Sequence, residues 1–166
     1  MNPADIVMLL RKLTIPFRLF EHEAVFTTTE SSKLKVDIPG ALTKQLLMKE
    51  RNGDRVILAI VMHDKKVDMK KFAKLLESKP LEFSSAELMM ELLHVTPGSV
   101  TPFGLIFDST HRIEVIVDVD AWNIGQFQFH PLINTATITL DQHGFEKFLR
   151  HTGHNFFLRT IPSKFT

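Results

Sequence analysis

The sequence predicts an α+β fold: one mixed, largely antiparallel and partly barrel-like central sheet surrounded by helices. Three observations carry this expectation. Stretches of helical period and short apolar runs follow one another irregularly, unlike the strict strand–helix alternation of a doubly wound sheet. Asn52-Gly53 separates two apolar-rich runs, "ALTKQLLMKE" and "DRVILAIVM", the signal of a β-hairpin with type I′ geometry. The second run is apolar at every position from Val56 to Met62, so it belongs at the centre of a sheet covered on both faces.

In chain order, Asn2 can cap a first helix with Pro3 at its first position, and Ile6, Leu9, Leu10 and Leu13 supply its apolar stripe. "PFRLFEH" reads as a short strand. Thr27 and Glu30 stand at capping-box spacing, so a short helix is expected over "TTTESSKLK" until "DIPG" breaks it. After the hairpin, Asp68 can cap a helix that buries Met69, Phe72, Ala73 and Leu76. Ser84 and Glu87 form a second capping box opening "SSAELMMELL". The loop "LHVTPGSVTPFGL" follows, with two prolines and two glycines. "FGLIFD" and "RIEVIVDVD" are expected to be strands joined at "STH", while "AWNIGQ" is too short to assign. "NTATITL" alternates as a strand does. Asp141 caps "DQHGFEKFLRHTG", which Gly153 ends, and "NFFLRTI" supplies a last strand.

The 166 residues fit one domain, 1–166, since domains run roughly 100–200 residues. No repeat, low-complexity tract or linker divides it. The chain has no cysteine, which excludes a disulfide framework and a thiolate zinc site. Its longest apolar run, Val56 to Met62, falls far short of the ~20 residues a membrane helix needs. The first residues lack a basic segment ahead of an apolar block, so the cytoplasm is the expected compartment, with no membrane partner. Net charge is +1, but it is unevenly placed. Residues 1–83 hold 15 Lys and Arg against 11 Asp and Glu, a surplus of +4; residues 84–166 hold 5 against 8, or −3. Within "HDKKVDMKKFAK", Lys65, Lys66 and Lys70 are candidate contacts to a phosphate backbone, the alternative being a solvated helix face.

Several chemistries are disfavoured. The eight histidines are scattered, with no H-E-x-x-H, so no metal is expected. No G-x-S-x-G elbow exists, and the loop holding Ser99 leads towards a strand, not a helix. "PGSVTPFG" is not a phosphate-binding loop, and no cofactor is implied. Three features remain. Lys44 alternates with Leu46 and Met48 on the more apolar strand face, so it either snorkels to an edge or points into a pocket. "FHPLINTAT" sets His130 beside Pro131 and Asn134 at a strand mouth, either a site or a turn. In the Pro- and Gly-rich loop, glycine lets backbone N–H groups approach a ligand and the prolines hold the loop still.

Five ordered segments, "HEAVFT", "DIPGALTKQLLMK", "KKVDMKKFAKLL", "VTPGSVTPFGLIFD" and "FHPLINTATITL", resemble the YbaK/prolyl-tRNA-synthetase-associated domain family, especially its free-standing branch. The resemblance covers roughly residues 13–149. It implies an editing deacylase that hydrolyses the ester of mischarged aminoacyl-tRNA, typically alanine on tRNA for proline; cousins edit cysteine and serine. A member that kept the fold without turnover would instead be a tRNA- or synthetase-binding module. By motif position, the family's lysine falls on Lys44, its G-x-x-x-P loop on Gly98, Ser99, Val100, Thr101 and Pro102, and its pocket histidine and asparagine on His130 and Asn134. The early histidine is His22, and some relatives have proline where this chain has Glu23. The resemblance implies catalytic roles for Lys44, Gly98 and His130, and substrate contacts from His22, residues 99–102 and Asn134. Implied partners are the acceptor end of tRNA and a prolyl-tRNA synthetase or elongation factor.

Overall fold

The computed structural model describes residues 2–24 and 37–165; the helix expected over "TTTESSKLK" lies outside them. Helix α1 (Pro3–Lys12) begins as expected: Asn2 Oδ1 accepts from Asp5 N–H and the Asp5 carboxylate accepts from Asn2 N–H. Strand β1 (Arg18–Glu21) follows, then β2 (Thr43–Glu50) and β3 (Val56–Met62). Helix α2 (Met69–Leu75), β4 (Leu81–Phe83) and α3 (Ala86–Leu93) come next. A 3-10 helix (Pro102–Phe107) leads to β5 (Ile113–Asp118) and α4 (Val119–Trp122). The chain continues through β6 (Gln126–Phe129), β7 (Ala136–Asp141), α5 (Gln142–Thr152) and β8 (Phe156–Arg159).

The strands form two sheets. One has five strands in the order β4-β2-β3-β5-β8, with β3 and β5 buried at its centre. The other has three, β1-β7-β6, all antiparallel. The β3–β5 and β5–β8 pairs are parallel, which makes the large sheet mixed. The sheets meet where Ala41, just before β2, bridges to Phe127 of β6. Among the described residues no closed barrel forms. The all-apolar β3 is covered on both faces. Leu58 and Ile60 face a cluster with Phe103, Phe127, Phe129, Phe145 and Phe148; Ile57, Ala59 and Val61 face one with Phe72 and Ala73 of α2.

Three local expectations are corrected, and two short strands are added. The β2–β3 connection is longer than a two-residue type I′ turn: Asn52 is left-handed (φ 57°) but Gly53 is not. The Glu50 carboxylate fills that loop, accepting from the N–H groups of Arg55 (3.0 Å) and Lys79 (2.8 Å). Ser85, not Ser84, caps α3 by accepting from Leu88 N–H. "FGLIFD" is not a strand, because Thr101 caps it and Pro102 opens it as a 3-10 turn. Gly104 lies so close to α3 that an added Cβ would meet the Leu93 carbonyl oxygen at 2.7 Å. Finally, β4 and β6 complete the sheets at three and four residues, too short for periodicity to reveal.

Candidate active site

Two histidines brought together from residues 108 apart form the centre of the site. His22 directly follows β1, and its N–H donates to Thr135 O (2.9 Å). Its Nδ1 is 2.7 Å from Glu23 O, and a carbonyl only accepts, so Nδ1 carries the proton. Its Nε2 then accepts from the Thr137 hydroxyl at 2.8 Å. His130 directly follows β6, and its Nδ1 donates to Ala136 O at 3.0 Å. The same logic leaves a lone pair on His130 Nε2, which has no partner among the described residues. The rings stand edge to face with centroids 6.3 Å apart. Burial pushes the His130 pKa down; the hydrogen bond to Ala136 O opposes this in part, and His22 adds to the lowering. His130 is therefore a neutral imidazole at pH 7 with one open, basic nitrogen.

The turn after His130 is constrained. Pro131 is buried, Leu132 is left-handed at φ 71°, and Asn134 is half-buried. A β-branched or bulky residue at positive φ is an outlier that the surroundings must enforce. Leu132 packs against the large aromatic cluster.

The Pro- and Gly-rich loop contains a defined turn. Ser99 N–H donates to Thr96 O (3.0 Å), and Gly98 between them has φ 90°. Proline second and a positive-φ glycine third is the signature of a type II β-turn. Ser99 N–H is thus already used, which leaves the N–H groups of exposed Gly98, half-buried Val100 and Thr101 without a backbone partner among the described residues. Ser99 makes no hydrogen bond to a histidine among these residues, so it has no base to activate it. Thr101 is fully buried and its Oγ1 accepts from Phe103 N–H. Pro102 is buried at the start of the 3-10 helix.

Lys44 lies on β2, half-buried, on the same face as Leu46 and Met48, as alternation requires. It makes no hydrogen bond or ion pair with a described residue. Burial lowers its pKa first; Asp64 raises it and Lys66 lowers it again. An uncommitted ammonium that is partly desolvated is poised to receive an anion.

Strand β6 ties these parts together. Gln128 Nε2 donates to the carbonyls of Ile38 and Gly40, and Ala41 N–H donates to Gln126 O, so the segment leading to Lys44 is fastened to the strand that ends at His130. On the other side, Phe103, next to Pro102, packs edge to face on Phe129, next to His130, at 6.0 Å. Among the described residues no direct side-chain contact joins Lys44, the loop and His130; β6 links them through the backbone bonds of Ala41 and the ring contact of Phe103 with Phe129.

The basic stretch divides. Lys65 does not face outward: its Nζ is 2.6 Å from Asp118 Oδ2 and donates to Ile161 O, an internal tie that withdraws it from any nucleic-acid surface. Lys66 lies over the Phe165 ring at 5.6 Å and is exposed, as is Lys70 on α2. Two site residues escaped sequence reasoning. Gly40 has φ 98°, and a Cβ there would meet Gln126 O at 3.1 Å; the "DIPG" breaker was the available signal. Thr137, partner of His22, had only its polar place in the "NTATITL" alternation. Among the described residues no group of three or more His, Asp or Glu is placed to hold a metal, and no helix is long and apolar enough to cross a membrane.

The mixed-sheet α+β fold and the relatives it matches make this chain a hydrolase of the aminoacyl-tRNA editing class. The chain belongs to the aminoacyl-tRNA editing domain family, which matches residues 22–148. It is 29% identical to the prolyl-tRNA editing protein ProX of Acetoanaerobium sticklandii, over 91% of this chain and 92% of that protein. It is 31% identical to prolyl-tRNA synthetase associated domain-containing protein 1 of Xenopus laevis, again over 91% and 92%. Among solved structures it resembles the hypothetical protein APE2540, with TM-score 0.68 and 19% identity over 92% of this chain and 96% of that one. A candidate trans-editing enzyme for prolyl tRNA synthetase matches with TM-score 0.68 and 19% identity, over 94% and 95%.

Proposed function

We propose that this chain acts in trans, as one free-standing domain, to hydrolyse the ester of tRNA carrying an alanine-sized amino acid, foremost alanine on tRNA for proline. The observation that carries the proposal is the Nε2 of His130, without a partner among the described residues, on a ring kept neutral by burial and aimed by its bond to Ala136 O. An aminoacyl ester is activated enough to need no protein nucleophile. A water attacks the carbonyl carbon and gives a proton to His130 Nε2, directly or through the neighbouring ribose hydroxyl. The N–H groups of Gly98 and Val100 hold the oxyanion. Collapse breaks the C–O bond, the ribose oxygen takes the proton back, and the free amino acid leaves.

Lys44 binds the sugar-phosphate of the terminal adenosine and stays a cation, since Asp64 opposes the effect of burial. Asn134 and the Pro102 end of the loop limit the pocket so that a proline ring is excluded. Size exclusion is needed because one methylene changes binding by only ~1–3 kcal/mol. Lys66 and Lys70 lie along the acceptor stem and contact phosphates without reading bases. A prolyl-tRNA synthetase or elongation factor delivers the substrate.

The test is release of labelled alanine, serine or cysteine from the corresponding mischarged tRNAs. Alanine release should dominate, and Lys44→Ala should lower kcat/KM by about 10–100-fold, as expected when a hydrogen-bonded charge is removed. Undiminished activity in Lys44→Ala would remove Lys44 from the site. No release from any of the three substrates at micromolar protein would favour a binding module over an enzyme.

A further inference from the structure

A cavity of about 520 Å³ lies on the α1 side of His22, and the hydrolytic scheme above does not use it. Its size falls within the roughly 300–1,000 Å³ of small-ligand sites. Val7 of α1, Leu19 of β1 and Ile133 of the turn after His130 make its apolar walls. Leu19 and Ile133 are exposed, at 43% and 37%. The polar side chains lining it are Glu21, His22 and Thr135. Neither lysine nor arginine lines it, so its chemistry does not suit a phosphate. Glu21 is exposed and has no hydrogen bond or ion pair with a described residue, which leaves a carboxylate to accept. Both nitrogens of His22 are taken, by Glu23 O and Thr137 Oγ1, so what His22 offers a ligand is its ring face. Apolar walls, a stackable imidazole and a lone carboxylate acceptor suit a flat heterocycle bearing an amino group.

We infer that this cavity receives the adenine of the tRNA 3′ terminus, with its ring against His22 and its exocyclic amine donating to Glu21. The inference rests on the deacylase reading for its substrate. The two sites adjoin: His22 lines the cavity and its ring meets the His130 ring edge to face, with centroids 6.3 Å apart, so a ribose passing beside His22 reaches His130. With the base in the cavity, the ribose ester is carried towards the open Nε2 of His130. The terminal base would thus fix the register of the ester, and its loss should raise KM more than it lowers kcat.

The experiment compares Ala-tRNA ending in adenosine with Ala-tRNA ending in purine riboside, which lacks only the amine. The wild-type chain should prefer adenosine about tenfold in kcat/KM, mostly through KM, as for one hydrogen bond to a charged group. Glu21→Leu should lose the preference, and Ala4→Phe, a filling substitution on an exposed helix position, should raise KM for both substrates. Equal hydrolysis of both substrates by the wild type, or a preference that survives Glu21→Leu, overturns the inference while the deacylase reading stands. If neither tRNA is hydrolysed, the deacylase reading fails separately. Titration of adenosine monophosphate against labelled methyls then decides: shifts at Val7, Leu19 and Ile133 keep the adenine site, and their absence removes it.

Discussion

Among the described residues two histidine pairs meet edge to face, and they differ in one respect. His154 and His111 meet at 5.0 Å; His130 and His22 meet at 6.3 Å. In the first pair the buried ring, His154, has both nitrogens engaged. His154 Nε2 meets Asp108 Oδ2 at 2.9 Å, its Nδ1 meets Thr152 Oγ1, and His111 Nε2 meets Thr152 O. Asp108 also accepts from the N–H groups of Arg112 and Ile113, so the pair locks the end of the 3-10 helix to the end of α5. In the second pair one nitrogen of His130 is left open. The same residue types at similar spacing give a clasp in one place and a base in the other. The difference is whether the fold saturates the inner ring: His154 uses both nitrogens, His130 only one among the described residues. The two lysines repeat the lesson: Lys65 is spent on Asp118, whereas Lys44 has no hydrogen bond or ion pair with a described residue.

Breaking the open pair should cost the most activity. His130→Ala should lower kcat by about 10²–10⁴-fold, the span of general acid–base catalysis, with little change in melting temperature; deacylation rates and thermal unfolding measured together check this. Breaking the closed pair should do the reverse. His154→Ala should cost about 3 kcal/mol of stability, by losing a bond to a charged group and a packed ring, while leaving kcat near wild type below the new melting point. Substantial activity loss in a folded His154→Ala would erase the distinction between the pairs.

A smaller effect separates strain from contact. Gly98 (φ 90°) and Gly125 (φ 88°) hold nearly the same left-handed backbone, but a Cβ on Gly125 would meet nothing within 4 Å. Alanine at either should cost about 1–3 kcal/mol from the backbone alone. Only Gly98→Ala should also lower kcat/KM at a temperature where both variants are folded. Equal loss of activity in the two would make the loop a structural turn and no more.

The smallest effect is in pH. His130 titrates below its ordinary 6.5 because burial disfavours its charged form. Between that depressed value and 6.5 the unfolded chain binds a proton that the folded chain does not, so the neutral ring's contribution to stability is present above 6.5 and lost as pH falls. Hydrolysis needs the unprotonated ring. The acid limb of kcat/KM should therefore lie below pH 6.5, and a limb at or above that value would mean His130 is more solvated than this geometry holds it.

Helix caps at Asn2, Asp68 and Asp141, the buried strand at Val56–Met62 and the end of α5 at Gly153 were legible in the sequence because each depends on residues a few positions apart. The 3-10 turn at Phe103 was not: the Thr101 cap and Pro102 that open it stand before an apolar run that reads as a strand, and the close seat of Gly104 on Leu93 of α3 is a tertiary contact. Lys44 and His130 could be singled out as chemically odd residues. That His22 would bind Thr137 and stand beside His130, or that Lys65 would turn inward to Asp118, depends on pairings across 115 and 53 positions of chain. Sequence spacing carries no trace of such pairings.

The contact of Phe103 with Phe129 has a consequence for ancestry and design. Each ring is the immediate chain neighbour of a site residue, Pro102 or His130, and both rings are rooted in the aromatic cluster with Phe145 and Phe148. The separation of the two pocket walls is therefore a property of the interior. A lineage could move from one amino acid to another by exchanging a buried ring, while every residue that touches the substrate stays the same.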